Sequence, residues 1–223
     1  MNCWIGNHPG TSGEHIIKAS DLKLYFGNVS QKSPIFSHTQ EQINKKTNSI
    51  KKSKHLKFTS PLCSYCNNDR TSKYDKAWQK LSTHLNKQPI NNNSIKLNKI
   101  FPGHSNYAKN NIHLYFVKLF GCVIKEFDIP IDLSLFKNSI LNQTPHKDLF
   151  LNFSKTSKKS CFISDVQVDY ENNNLTFATF YYCIGNILVS VIYSNSTIKR
   201  QGLRNTWHPK NNSSIIKLGK TIY

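Results

Sequence analysis

Apolar side chains recur at Ile112, Tyr115, Phe116, Leu119, Phe120, Val123, Ile124 and Phe127. Spacings of three and four place these residues along one stripe of a helix, and the pattern predicts a helix with one buried face that ends at Pro130. The same spacing at Ala77, Trp78, Leu81 and Leu85 predicts a helix after Asn68, capped by Asp69. A shorter helix is expected over 133–141, opened by Asp132. Elsewhere the period drops toward two. Segments 148–153, 161–170, 175–183 and 187–193 read as four strands of an antiparallel sheet, the last two joined through turn chemistry at Gly185-Asn186. Short β-like stretches lie around His15-Ile16-Ile17 and over 22–26.

These elements predict an α+β fold in three parts. Residues 1–90 carry the motifs, with a basic insertion at 31–60. Residues 91–111, with Asn91-Asn92-Asn93 and Pro102-Gly103, read as a linker. Residues 112–223 form an α+β region with the antiparallel sheet, although the polar last thirty residues predict no element. The run 176–193 is uncharged and long enough to suggest a membrane span, but its β-rich halves around Gly185-Asn186 fit a hairpin better, so no membrane contact is expected.

Composition narrows the partners. A chain of 223 residues buries a core without relying on disulfides. Thirty Lys and Arg against twelve Asp and Glu leave a net charge of +18, which favours a polyanion over an acidic protein. Yet 27 of the 30 cations are lysine, in a chain also rich in Asn and Ile, as AT-rich codons produce, so charge alone does not decide for nucleic acid. Lys45, Lys46, Lys51, Lys52 and Lys54 crowd into the 31–60 segment, as either a solvated face or a set of phosphate contacts. The first residues show no secretory signal, which points to a cytoplasmic protein whose six cysteines are buried thiols or metal ligands rather than disulfides.

Three groups of residues carry candidate chemistry. Cys63-Ser64-Tyr65-Cys66 places two thiolates three positions apart on a tight turn, so both reach one tetrahedral Zn²⁺. Cys3 is the obvious third ligand; three positions beyond it stands Gly6, so His8 is the candidate fourth. In Glu14-His15 a carboxylate able to bind a hard divalent cation precedes an imidazole able to take a proton from water, although such a pair can equally be surface residues. Asn67 is either a metal ligand or a cap. Arg70 either grips a phosphate or is solvated, and Asp75 either supports a metal or is a surface acid. Cys122, Cys161 and Cys183 sit in apolar runs and read as core thiols. Lys199-Arg200 and Arg204, beside Trp207, form either a stacking patch for single-stranded nucleic acid or a solvated loop.

Taken together, Cys3, Glu14-His15 and Cys63-Ser64-Tyr65-Cys66-Asn67 opening a helix resemble the zinc-knuckle branch of the HNH nucleases. Members of that branch have a ββα-metal core with a CxxC, an acidic residue followed by His, and a second CxxC followed by Asn. The resemblance covers residues 1–85 and implies a metal-dependent endonuclease acting on DNA, with RNA as a possible substrate. It implies His15 as general base, Glu14 and Asn67 as ligands of Mg²⁺ or Mn²⁺, and Cys3, Cys63 and Cys66 as ligands of a structural Zn²⁺. Gly6 and the 31–60 insertion depart from the family pattern, and the family's middle Asn is not assignable among Asn28, Asn44 and Asn48. A rival expectation is a noncatalytic zinc-knuckle protein that binds nucleic acid. Protein partners and oligomeric state are left open.

Overall fold

The computed structural model describes residues 1–38, 43–60, 62–88, 93–195, 203, 206–210 and 214–221. The stripe around 112–127 belongs to a 22-residue helix, Ser105–Glu126, here α4. Its burial is wider than one face: residues from Ile112 to Ile124 are all buried, including Val117 and Lys118 between the predicted positions. Helix α4 packs between α2 (Ser72–Lys87), α5 (Leu133–Asn142) and the sheet, so from Asn111 to Ile124 no side of it meets water. The helix closes at Phe127, before Asp128 with φ 46°, and not at Pro130; Phe127 leaves the stripe and is 64% exposed.

Helix α2 buries Ala77, Trp78, Leu81 and Leu85 as the spacing requires. Its entry differs from the expectation. A π-helical turn, Tyr65–Arg70, follows the cysteine knuckle, and the cap position is Thr71 rather than Asp69. The Thr71 hydroxyl donates to the Cys66 carbonyl at 2.9 Å, tying knuckle to helix. Helix α5 starts as expected, with Asp132 accepting from the Ser134 N–H at 2.8 Å.

Residues 22–26 are not a strand. They lie in α1 (Ala19–Phe26), because Asp21 is drawn inside and accepts hydrogen bonds from Trp78 Nε1, Ser82 Oγ and Tyr182 Oη, each at 2.7 Å. A buried carboxylate needs such partners, and they come from α2 and the sheet.

Among the described residues there are two sheets. Strands β1 (Ile35–Ser37) and β2 (Lys45–Thr47) form a small antiparallel pair within the basic segment. The larger sheet runs β3-β7-β4-β6-β5, with β3 Ser94–Lys96, β4 Leu149–Ile163, β5 Gln167–Glu171, β6 Asn174–Ser194 and β7 Ile215–Thr221. It is antiparallel apart from the β4–β7 pair. The expected turn at Gly185-Asn186 is absent, since β6 runs straight through it. Gly185, with φ 62°, instead faces Ser160 at the edge of a bulge in β4, where the register shifts between Lys155 and Ser160. The tight turn is Asn172-Asn173, both with positive φ, joining β5 to β6. The expected linker is also structured: its described part, 93–111, carries β3, the short helix α3 (Leu97–Ile100) and the start of α4. One buried cluster extends from Cys3 through Trp78 and Phe116 to Leu218, so the motif-bearing part and the sheet share a core. Among the described residues, no helix is long and apolar enough to cross a membrane.

Two predictions follow from this packing. A Cβ built on Gly121 of α4 would stand 2.4 Å from Trp4 Cζ2, in contact with a rigid buried ring. Gly121→Ala is therefore expected to destabilise by ~1–3 kcal/mol, overriding the ~1 kcal/mol that alanine gains in a helix; an unchanged or raised melting temperature would refute this packing. His113 and His146 lie beneath the sheet, and burial lowers them to about 3 and about 4. The unfolded chain takes up these protons near 6.5, so stability should fall as pH drops from 6.5 toward 4. His146→Asn should flatten that part of the pH–melting curve.

Candidate active site and metal centre

Residues 12–16 lie antiparallel to 56–58 and to Leu62. Phe58 N–H donates to the Glu14 carbonyl and Leu62 N–H to the Ser12 carbonyl, each at 2.9 Å, and His15 bridges Lys57. This two-stranded ladder leads directly into the knuckle, the π-helical turn and α2. It carries Glu14-His15 to one wall of an open cavity of about 190 Å³, also lined by Lys18, Asn67, Asp75 and Gln79. Glu14, His15 and Asn67, up to 53 positions apart in the chain, thus meet at one opening.

The imidazole of His15 is held by the basic segment. Its Nε2 lies 3.2 Å from the Ile50 carbonyl, which can only accept; Nε2 therefore bears the proton and Nδ1 the lone pair. Burial lowers the His15 pKa below its ordinary 6.5, with the charges of Lys57 and Lys18 adding to the effect, and the ring is neutral at neutral pH. Asn67 donates through Nδ2 to Ser12 Oγ at 2.8 Å. Its amide oxygen, the atom a divalent cation takes, has no partner among the described residues. Glu14 is buried, with Oε2 3.1 Å from Lys118 Nζ. Asp75 meets the same ammonium at 2.9 and 3.1 Å, and Lys18 at 3.4 Å. Burial works against the Lys118 charge, but Glu14 and Asp75 outweigh it and hold the ammonium above the ordinary lysine range.

Beside this cavity the Sγ atoms of Cys3, Cys63 and Cys66 lie within 4.8 Å of one another, all buried. Gly6 N–H points to Cys3 Sγ and Cys66 N–H to Cys63 Sγ, each at 3.4 Å. Burial opposes ionisation of Cys63, but hydrogen bonds from the Cys66 N–H and from the Cys66 and Cys3 thiols prevail and lower its pKa, whereas burial raises Cys66 to about 12. Three converging thiols with backbone donors suit a soft divalent ion. The ring nitrogens of His8 do not lie within 4.8 Å of all three sulfurs. The loop closes on itself, with Cys3 N–H donating to the His8 carbonyl at 2.9 Å, and the His8 ring is left exposed, its nitrogens outside the set. Gly6 lies between the thiols and this ring: a Cβ there would lie 2.9 Å from Cys66 Sγ and 3.3 Å from His8 Cδ2.

No family model, curated protein or solved structure matches the chain. The site is therefore read from its geometry.

The other sequence candidates are dispersed. Arg70 sits over the Tyr65 ring at 5.1 Å and lines a separate cavity with Lys73 and Gln143, away from Glu14 and His15. Lys45, Lys46, Lys51, Lys52 and Lys54 are exposed on β2 and the following turns, and none lines the Glu14 cavity. Nor do Asn28, Asn44 or Asn48. Lys199, Arg200 and Arg204 lie outside the described residues; Trp207 is buried and pairs with Leu151. Four residues that sequence reasoning missed complete the site: Ser12, Lys18, Ile50 and Lys118. Only Lys118 leaves a trace in the sequence, as a lone cation in the apolar run 114–124.

Metal analysis of purified protein is expected to find about one tightly held divalent ion per chain. Cys63→Ser should lose it and lower the melting temperature, while Cys122→Ser should retain it. Metal-free wild-type protein would eliminate the thiol centre.

Proposed function

We propose that the protein is a metal-dependent endonuclease of the HNH type that hydrolyses DNA phosphodiester bonds. The observation that carries this reading is the meeting of Glu14, His15 and Asn67 in one open cavity, beside three clustered thiols. The order of ladder, knuckle and helix agrees with a ββα-metal core. Mg²⁺ or Mn²⁺, held by the second oxygen of Glu14 and the amide oxygen of Asn67, would neutralise charge developing on the scissile phosphate. His15 takes a proton from the attacking water at Nδ1, with the Ile50 carbonyl fixing the tautomer. Ser12 orients Asn67 through its amide nitrogen. Cys3, Cys63 and Cys66 would hold a Zn²⁺ that fixes the turn from which Asn67 projects. The net charge of +18 and the exposed lysines of 45–54 supply sequence-independent attraction to phosphates.

One observation favours a second reading. Glu14 and Asp75 are both paired with buried Lys118, as in an ion cluster that only stabilises a fold. On that reading the protein is a noncatalytic, zinc-knuckle binder of nucleic acid. Cleavage separates the two. With Mn²⁺ or Mg²⁺ the wild type should nick plasmid DNA, and His15→Ala should abolish nicking while leaving DNA affinity within a few fold; equal cutting by both proteins removes the catalytic assignment. An RNA substrate run in parallel distinguishes DNase from RNase. Because the His15 pKa is lowered, the rate should already be level at neutral pH and decline only below 6.5. A midpoint above pH 7 would contradict His15 as the base.

A further inference from the structure

Lys118 is the one group of this site contributed by α4, and its side chain has no solvent exposure. The ammonium lies 3.1 Å from Glu14 Oε2 and 2.9 and 3.1 Å from the two oxygens of Asp75. An ammonium has three N–H donors, and two carboxylates suffice to engage them all. No donor is left over for a substrate or a leaving group, which excludes Lys118 as a general acid. The two carboxylates are treated unequally. Both Asp75 oxygens face Lys118, and Oδ1 also meets Lys18. Glu14 is engaged through Oε2, and Oε1 has no partner among the described residues. An ammonium between Glu14 and Asp75 also repels a divalent ion from the space where the two would otherwise bind it jointly.

We propose that Lys118 is a positioning residue that divides these carboxylates, withholding Asp75 from metal and leaving a single Glu14 oxygen to share one divalent ion with Asn67. The inference rests on the nuclease reading of the cavity, and it gives the sheet-bearing half of the chain a part in the site: α4 sets the ligands. It also explains why a cation stands in the most buried stretch of the most buried helix.

The test is Mn²⁺ binding to the protein as purified, read by electron paramagnetic resonance of free Mn²⁺ without substrate, with plasmid cleavage measured in parallel. Wild type should bind one Mn²⁺ in the cavity, and Glu14→Gln should abolish binding. Lys118→Met should bind Mn²⁺ about tenfold tighter, because a cation is removed and a carboxylate released, yet cut more slowly. Lys118→Arg keeps the charge and should stay near wild type. Should Lys118→Met fail to fold, Asp75→Asn decides: alone it should weaken Mn²⁺ binding, because Lys118 is left with Glu14 only, and Lys118→Met added to it should restore wild-type affinity. The proposal is overturned if wild type binds no Mn²⁺, if folded Lys118→Met binds no tighter, or if Asp75→Asn abolishes binding in both backgrounds as Glu14→Gln does. Mn²⁺ binding as expected without any cleavage supports the positioning role and defeats the nuclease reading instead.

Discussion

A helical stretch with no wet face, Asn111 to Ile124 of α4, sets the terms for the rest of this protein. There α4 is surrounded by α2, α5 and the sheet, so a charge on this stretch must be met by protein. Lys118 is the extreme case. Removing one partner from a buried ion pair typically costs about 3–5 kcal/mol, so its ammonium requires the carboxylates that meet it. They come from the N-terminal ladder, through Glu14, and from α2, through Asp75. Packing of the core and placement of the cavity's charges are thus one constraint.

The same logic recurs a few residues away. Asp21, nearly inaccessible to solvent, draws donors from Trp78, Ser82 and Tyr182 and so binds α1 to α2 and β6. The thiol cluster lies where the N-terminal loop meets the knuckle. The basic 31–60 segment supplies the Ile50 carbonyl that decides which nitrogen of His15 carries the proton. None of the pieces around the cavity makes the site alone: the ladder brings the imidazole, the turn brings the amide, and the insertion and α4 orient what the first two deliver.

The elements legible beforehand are those whose signal is local. Helix α2 follows from apolar spacing, α5 from the Asp132 cap and the knuckle from two cysteines three apart. Glu14, His15 and Asn67 line one cavity, a proximity that no local pattern records. Misreadings cluster where a local signal has two meanings. Gly185-Asn186 is turn chemistry, yet a positive-φ glycine serves a bulge equally well, and the long pairing of β4 with β6 selects the bulge. Leu22-Lys23-Leu24 alternates like a strand, yet the demand of Asp21 for buried donors selects a helix.

By itself the sequence determined the residue types available for chemistry, the α+β class and the helices whose apolar stripes repeat at short range, because these depend on neighbours within a few turns of chain. The tertiary structure alone decided that α4 is enclosed on all sides from Asn111 to Ile124, that Arg70 lines a different cavity, and that Lys118 stands between Glu14 and Asp75. The physical reason is range: a hydrophobic period or a cap is settled over a few residues. Satisfying a buried charge is settled between residues as far apart as 14 and 118, and no local pattern records it.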